Sequence, residues 1–286
     1  MLSEEALDYL ENSGYGKVEK ISPLSGGSIN SVYKLLTSEG RYVLKKNNRD
    51  QFPKMLEKEH NALEYLFDKS PLRYPQPLIH FYTDSDQYLL MEYVESGSTS
   101  ETGCSRLGTG LAKQHKITED FYGWREDNYI GSLVQKNSKS SSWSAFYSSQ
   151  RLIPLGEEAF NKGLLHKNHI RQLKNLCARL DEIYPEEKPA LLHGDLWAGN
   201  YFIDPENNPV LYDPAIYFGH REIDIAMTLL FGGFPSVFYD SYSETFPLEK
   251  GWKDRTPISQ LYPNLVHLNL FGSGYLSAIL SVINKF

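Results

Sequence analysis

Residues 191–200, LLHGDLWAGN, together with LYDPA at residues 211–215, decide how this chain is interpreted. Short apolar runs at residues 190–192, 201–203 and 210–212 predict strands, and the polar residues of the stretch stand at the ends of those runs. Proteins commonly present their chemistry on loops that a rigid scaffold positions. We therefore expect the acidic and amide side chains of this region to lie on such loops.

Asp195, Asn200 and Asp213 have the residue types and spacing that phosphoryl transfer from a nucleotide requires. Asp195 would orient the acceptor hydroxyl and receive its proton, as the catalytic base. Asn200 and Asp213 would hold Mg²⁺ on the phosphates, because this hard cation prefers oxygen ligands. Asp195 alone could be a turn residue that caps its own loop. The presence of all three favours catalysis, and the proline after Asp213 makes a swinging switch there unexpected.

Composition narrows the class of protein. With 286 residues, 41% of them hydrophobic, the chain can form one large domain or two lobes. A net charge of −7 argues against nucleic acid as a partner. No window reaches the roughly 18 apolar residues of a membrane span, and the acidic N-terminal segment is unlike a signal peptide. The two cysteines, Cys104 and Cys177, predict no disulfide framework, so a cytoplasmic location is the simplest expectation.

The pattern of predicted elements changes along the chain. Strands are expected at residues 18–24, 31–36, 41–45, 79–83 and 87–94, with helices at 3–13 and 53–68. After the Gly, Ser and Thr cluster at 96–103, helices are expected at 106–116, 143–153, 157–162, 170–184, 224–231 and 266–283. This predicts a bilobal α+β fold of the protein-kinase-like type. Its N-lobe, 1–95, would hold an antiparallel sheet with one helix, and its C-lobe, 96–286, would be mainly helical.

Three segments carry a resemblance to a known family: HGDLWAGN at 193–200, DPAIYFGHREIDIAMT at 213–228 and DNYIGSLVQKN at 127–137. They resemble the fructosamine-3-kinase, or ketosamine kinase, family, whose kinase-like fold is shared with aminoglycoside and choline phosphotransferases. The resemblance runs from about residue 24 to the C-terminal helix. It implies phosphorylation of the 3-hydroxyl of a ketosamine, such as a ribulosamine or fructosamine adduct, by ATP with Mg²⁺. Elimination of the 3-phosphate would then remove the sugar, which amounts to deglycation.

In the first lobe, the resemblance implies a nucleotide site. Lys45 would touch the α- and β-phosphates and Glu59 would pair with it. Glu57 and Glu64 are the rivals of Glu59. Glu59 is chosen because its spacing before Leu63 matches best.

Lys46 is the rival of Lys45, because adjacent strand residues point to opposite faces and only one of the two lysines can face the nucleotide. Lys45 is chosen because Lys45 and Asn47 match the Lys-x-Asn pattern of the family. The alternative is an edge-strand pair of charged residues.

Two further segments of this lobe would contact the nucleotide. Gly26 and Gly27 would let backbone N–H groups of the loop approach the phosphates, although a plain turn explains two glycines equally well. Met91, Glu92 and Val94 resemble the hinge that binds adenine, with Met91 as gatekeeper. A buried strand would give the same apolar pattern.

On the acceptor side, Trp197 is the candidate to pack against a sugar face, with a buried structural tryptophan as the alternative. Asp127, Asn128 and Gln135 lie in the segment that resembles the acceptor-side loop, although a lid or a solvated loop would also fit. 

Two residues are expected to support the catalytic loop. His193 would hold its backbone, and Asp224 would accept its N–H groups. A simple N-cap of a helix starting at residue 225 is the alternative for Asp224.

Two other functions stay open. An aminoglycoside- or choline-type kinase would need a cluster of carboxylates for its cationic acceptor. A nucleotide-binding pseudokinase would be expected to lack Asp195, Asn200, Asp213 or Lys45, and none is missing. The expected partner is a small ketosamine or a glycated lysine, with no nucleic acid and no membrane. The oligomeric state is open, with a monomer favoured.

Overall fold

The computed structural model describes residues 2–24 and 29–286. These residues form two compact units, Met1–Ser100 with Phe202–Asp213, and Glu101–Tyr201 with Pro214–Phe286. The predicted phosphate-loop residues Gly26 and Gly27 lie outside the described residues. Within the described part of the chain, no helix is both long enough and apolar enough to cross a membrane.

The first unit is built on one antiparallel sheet. Its elements are α1 (Glu4–Leu10), β1 (Val18–Leu24), β2 (Ser31–Thr37), β3 (Gly40–Asn48), α2 (Met55–Lys69), β4 (Pro77–Tyr82) and β5 (Asp86–Glu92). The strands are ordered β1-β2-β3-β5-β4. All five expected strands and both expected helices are present, which agrees with an antiparallel sheet carrying one inserted helix.

Lys45 lies on the central strand of this sheet. Strand β3 is central, with Lys45 opposite Val32 on β2 and Leu89 on β5. The edge-strand interpretation of Lys45 is therefore wrong. Helix α2, whose sequence is rich in strong helix formers, buries Leu56, Leu63 and Leu66.

The second unit is mainly helical. In chain order the remaining elements are α3 (Glu101–Gln114), β6 (Asn128–Ile130), β7 (Leu133–Gln135), α4 (Trp143–Phe146), α5 (Ile153–Asn161), α6 (Lys167–Cys177), α7 (Leu180–Ile183), β8 (Ala190–Leu192), β9 (Tyr201–Ile203), β10 (Pro209–Leu211), β11 (Tyr217–Gly219), α8 (Glu222–Thr228), α9 (Ser236–Thr245), α10 (Trp252–Ser259), α11 (Leu261–Phe271) and α12 (Leu276–Ile283). Strand β8 pairs with β11, and β9 pairs with β10. Residues 202–213, which include β10, belong to the first unit.

Several boundaries differ from the expected ones. Helices α4 and α5 are joined by a π-helical turn, Tyr147–Leu152, so two expected helices form one continuous rod. The helix expected at 266–283 is two helices, because Gly272 adopts a φ of 86° between them. Helices α9 and α10 were not expected. The first is rich in Ser, Tyr and Thr and the second contains Pro257, so local propensity hides both.

Helix α3 packs closely on α9 in the core of the second unit. A Cβ on Gly108 would meet the carbonyl oxygen of Phe238 at 2.1 Å. The glycine therefore allows the two backbones to approach, which explains a helix-weakening residue in the middle of α3.

Candidate active site

A buried lysine on the central strand organises the polar centre of the first unit. The Lys45 side chain is only 6% exposed. Its Nζ donates to Glu59 Oε1 of α2 at 2.5 Å and also donates to the Asp213 carboxylate. Burial alone lowers the pKa of Lys45, but the attraction of Asp213 and Glu59 outweighs it, and the pKa is raised. The ammonium therefore stays charged.

The two carboxylates differ in their surroundings. Burial raises the pKa of Glu59, and the attraction of Lys45 opposes that rise. Asp213 is more exposed and has a φ of 55°, a left-handed conformation that costs a non-glycine residue energy. The rival Lys46 instead pairs with Asp86 at 3.0 Å. Only Lys45 of the two thus meets Glu59 and Asp213.

The expected hinge residues occupy the end of β5. Met91 is buried and lies opposite Val43 and Pro77. The backbone N–H of Glu92 donates to the Gln76 carbonyl at 2.9 Å, so that N–H is already used. Val94 follows the strand and is partly exposed. Of the three expected residues, Met91 is therefore buried in the sheet, whereas Glu92 and Val94 are partly exposed.

In the second unit, the loop after β8 ties Asp195 to Asn200. Asn200 Nδ2 donates to the Asp195 carbonyl at 2.8 Å and to Asp195 Oδ2 at 3.1 Å. The Asn200 backbone N–H donates to the Trp197 carbonyl at 3.0 Å. Because the amide nitrogen is bound to Asp195, the amide oxygen is the Asn200 atom that can face a cation.

Asp224 holds the start of this loop. It is fully buried, and its two carboxylate oxygens accept the backbone N–H of His193 at 2.7 Å and of Gly194 at 2.9 Å. His115 Nε2 lies 3.2 Å from Asp224 Oδ2 and so orients the carboxylate. Helix α8 begins at Glu222, so the alternative that Asp224 is its N-cap is wrong.

The loop backbone is also fixed from the side of residues 213–216. The Ala215 N–H donates to the His193 carbonyl at 2.9 Å. Gly194 has a φ of 83°, and a Cβ there would lie 2.0 Å from the Ala215 oxygen. His193 Nδ1 accepts the Asp195 N–H at 3.3 Å. Hydrogen bonds from neighbouring residues therefore hold in place the backbone that carries the Asp195 carboxylate.

Trp197 is partly exposed and leans over its own loop. A Cβ on Gly199 would lie 2.3 Å from the indole, so the glycine leaves the space that the ring occupies. The indole meets the Phe231 ring edge to face at 5.8 Å. Because the ring is not buried, the alternative of a buried structural tryptophan does not describe it.

The expected acceptor residues of the β6–β7 hairpin differ in burial. Asn128 is buried, donates from Nδ2 to the Ile216 carbonyl at 2.9 Å, and accepts from Gln135 and Asn137 at its Oδ1. Asp127 Oδ2 pairs with Lys136 at 2.8 Å nearer the surface. Asn128 thus supports the backbone after Asp213, and this geometry favours a positioning role over direct contact with an acceptor.

Sequence reasoning missed the partners of the buried amide side chains of this hairpin. Tyr262 donates its hydroxyl to Gln135 Oε1 at 2.6 Å, and Gln135 Nε2 donates to the Ala215 carbonyl at 3.0 Å. The fully buried Arg151 donates to Asn137 Oδ1 at 2.7 Å. The only local signal was the alternation of polar residues in DNYIGSLVQKN, because Tyr262 is more than a hundred residues away.

The donor set suits Mg²⁺ better than a metal bound by protein alone. Among residues 2–24 and 29–286, no group of three or more His, Cys, Asp or Glu side chains could hold a metal ion. Mg²⁺ at nucleotide sites normally has few protein oxygens and completes its shell with phosphates and water. The amide oxygen of Asn200 and the carboxylate of Asp213 are each oxygen ligands of the kind that this ion accepts.

A five-stranded sheet with a buried Lys–Glu pair, together with an HGD loop held by a buried aspartate, defines a kinase-like phosphotransferase. Solved structures of the aminoglycoside phosphotransferase APH(4)-Ia share the fold, with TM-scores of 0.64–0.68 at 13–15% identity. A structure from Thermobifida fusca, assigned as a fructosamine-3-kinase, has a TM-score of 0.88 at 29% identity and covers 99% of this chain and 98% of its own. The predicted α+β kinase-like fold is confirmed.

The fructosamine kinase family model matches residues 3–286, and the chain belongs to that family. A probable ketoamine kinase of Enterococcus faecium is 40% identical over 93% of this chain and 95% of its own length. A protein-ribulosamine 3-kinase of Arabidopsis thaliana is 34% identical over 94% of this chain and 83% of its own length. The chain is therefore an ATP-dependent kinase, the predicted family is confirmed, and the other functions are not favoured.

Proposed function

We propose that this kinase phosphorylates the 3-hydroxyl of ketosamines, such as ribulosamine or fructosamine adducts of amines. The observation that carries the proposal is the catalytic loop, in which a partly exposed indole, Trp197, follows two residues after the carboxylate of Asp195. An indole presents an apolar face that can pack on a sugar ring. A kinase for a compact cationic acceptor would instead need several carboxylates there.

Asp195 acts as the catalytic base in this proposal. As the 3-oxygen forms its bond to the γ-phosphorus, the bond from that phosphorus to the bridging oxygen breaks and ADP leaves. The Asp195 carboxylate takes the hydroxyl proton. Since Asp224 and Ala215 fix the loop backbone, the carboxylate needs little reorganisation, which is how positioning lowers a barrier.

Lys45, Glu59 and Asp213 serve the nucleotide. The Lys45 ammonium would neutralise α- and β-phosphate charge, and Glu59 would keep it oriented. Asn200 and Asp213 would supply oxygens to Mg²⁺, which neutralises phosphate charge when bound. Met91, Glu92 and Val94 would line the adenine end.

The product chemistry explains the consequence of the reaction. A phosphate at C3 stands next to the ketosamine carbonyl carbon and is a good leaving group. Its elimination destabilises the sugar adduct and frees the amine. We therefore propose deglycation of small ketosamines or glycated lysines, by a monomer in a reducing compartment such as the cytoplasm, consistent with the free thiols of Cys104 and Cys177.

The test is ADP release from ATP and Mg²⁺ with four acceptors: ribulose-lysine, fructose-lysine, choline and kanamycin. We expect turnover with one or both ketosamines and a phosphate ester at C3 by NMR. Turnover with choline or kanamycin alone would reject the ketosamine proposal. Nucleotide binding without turnover of any acceptor would count against the ketosamine proposal and favour the pseudokinase alternative.

A further inference from the structure

Aromatic rings continue outward from Trp197 across the second unit. We call Trp197, Phe231, His267, Phe271 and Tyr275 the aromatic track. The Trp197 and Phe231 rings lie 5.8 Å apart, and those of Phe231 and His267 lie 5.2 Å apart. His267 then stacks on Tyr275 at 4.9 Å and meets Phe271 at 5.6 Å. The catalytic loop is thus joined by ring contacts to helix α11 and the turn that follows it.

Two phenylalanines of the track are exposed to solvent, unlike the aromatic residues of a hydrophobic core. Phe231 is 48% exposed and Phe271 is 60% exposed. Contiguous exposed apolar surface on a protein commonly marks a binding site. Since the patch begins at the residue proposed to contact the sugar, its natural occupant is a part of the same substrate.

The backbone of Phe231 adopts a conformation that is unfavourable for a bulky residue. Phe231 has a φ of 54°, which is rare for a bulky side chain, and Gly232 and Gly233 after it also have positive φ. Such strained conformations cluster at ligand sites, where the surrounding structure maintains them. The Phe231 ring is about half exposed, and the ring contacts that it makes are with Trp197 and His267 of the same track.

We propose that the aromatic track binds the amine-derived part of the ketosamine and favours adducts of aromatic or long aliphatic amines. This inference rests on the proposed function. In a ketosamine the nitrogen is carried on C1, two carbon–carbon bonds from C3. An amine substituent therefore leaves the sugar close to the reacting hydroxyl, beside Trp197, and extends along the rings.

The chemistry of the track selects an apolar occupant. His267 Nδ1 donates to the Pro263 carbonyl at 2.7 Å, which fixes the ring orientation. Burial lowers the pKa of His267, so the imidazole is neutral at pH 7. Faces and edges of neutral rings pack well on phenyl groups and methylene chains.

The test compares two ribulosamines that differ only in the amine, glycine or phenethylamine. Phe231→Asn removes the ring, and asparagine tolerates positive φ, so the loop conformation is kept. We expect kcat/KM for the phenethylamine adduct to fall about five- to tenfold. The fall for the glycine adduct should be clearly smaller and should reflect only the contact of Phe231 with Trp197. Phe160→Ala, at an exposed phenylalanine outside the track, is the control and should change neither. Equal losses for both adducts, or none, would overturn the inference.

A binding measurement separates this inference from the proposed function. Saturation-transfer NMR with the full chain and ADP would report contact with the phenyl protons of the same adduct, without turnover. If the wild type binds the phenyl group and Phe231→Asn does not, the track stands even where no phosphorylation is seen, and only the proposed function falls. If phenyl contact is absent, or is the same in both proteins, the track assignment falls.

Discussion

At the scale of single residues, Asp195 is the most direct test of the chemistry. Asp195→Asn keeps the size of the side chain but removes the proton acceptor. We expect kcat to fall about 10²- to 10⁴-fold, the usual contribution of a positioned base. ADP affinity by calorimetry should stay within a few fold, because the proposed nucleotide groups are other residues. Turnover that survives the substitution would show that Asp195 is not the base.

Gly194 carries a second residue-scale prediction. Gly194→Ala should lower the free energy of unfolding by about 2 kcal/mol or more, since it combines a positive φ with a clash on the Ala215 oxygen. Gly163→Ala is the matched control, because Gly163 also has a positive φ of 73° but its Cβ would meet nothing within 4 Å. Urea denaturation measures both. Equal losses would mean that φ alone, and not the approach of Ala215, makes Gly194 necessary.

What sequence could predict at this scale depended on how local the interaction is. Asp195, Asn200 and Asp213 stand within one short stretch, so their spacing was readable, and their roles stay predictions. Lys45 and Glu59 were paired by resemblance, and the structure brings them into contact. The contacts of Asn128 with Ile216 and of Gln135 with Tyr262 join distant segments. No local pattern encodes such contacts.

At the scale of elements, the β6–β7 hairpin should act through Gln135 on the catalytic loop. Gln135→Leu removes the hydrogen bonds to Tyr262, Asn128 and Ala215 and leaves buried polar groups unpaired. We expect a loss of about 3 kcal/mol in unfolding free energy and a fall in kcat larger than any rise in the KM for ATP. Tyr262→Phe, which removes one bond, should cost about 1 kcal/mol. An unchanged kcat in folded Gln135→Leu would restrict the hairpin to a structural role.

The turn before helix α8 gives a pH prediction. Burial and the positive charge of Arg221 lower the pKa of His220. Attraction of its proton by Glu187 and Glu222 opposes them only in part. The unfolded chain, with an ordinary histidine pKa of about 6.5, therefore binds the proton more readily. Stability falls as the pH drops below that value, by up to about 1.4 kcal/mol per pH unit. The loss ends at the folded-state pKa.

His220→Gln should reduce this loss between pH 7 and pH 5, measured by urea denaturation at each pH. Other histidines with lowered pKa values contribute equally to both proteins and cancel in the difference. Burial raises the pKa of Glu187, but its hydrogen bond with Arg221 and attraction by neighbouring cationic groups together outweigh burial, so that the pKa is lowered. Its contribution is therefore lost at more acidic pH. Identical slopes in the two proteins would contradict the assignment to His220.

Elements were predictable where periodicity and propensity agree. Helix α2 shows both, and the five strands of the sheet were predicted from runs of apolar residues bounded by turn signals. Helix α10 fails because Pro257 lies within it, and strand β11 was missed because three residues carry no period. The pairing of β11 with β8 fixes Ala215 and Ile216 beside the catalytic loop, so the missed strand matters for the site.

For the whole molecule, nucleotide and metal should stabilise the fold together. A ligand at a hundred times its Kd adds about 2.7 kcal/mol to the unfolding free energy, which corresponds to roughly 5–10 °C in Tm for a chain of this size. We expect ATP with Mg²⁺ to give this shift in circular dichroism melts. ATP with EDTA should give less than about half of it, because phosphate charge near Asp213 is then not neutralised.

Asp213→Asn distinguishes the metal from the nucleotide. Lys45 keeps its partner Glu59 in this variant, so ATP should still bind, but the increment due to Mg²⁺ should be lost. Glu95→Gln is the control, since it breaks an exposed pair with Arg41 that contributes little to stability. It should keep the full shift. A Mg²⁺ increment that survives Asp213→Asn would remove Asp213 from the metal site, whereas a loss of all ATP stabilisation would place its main effect on Lys45.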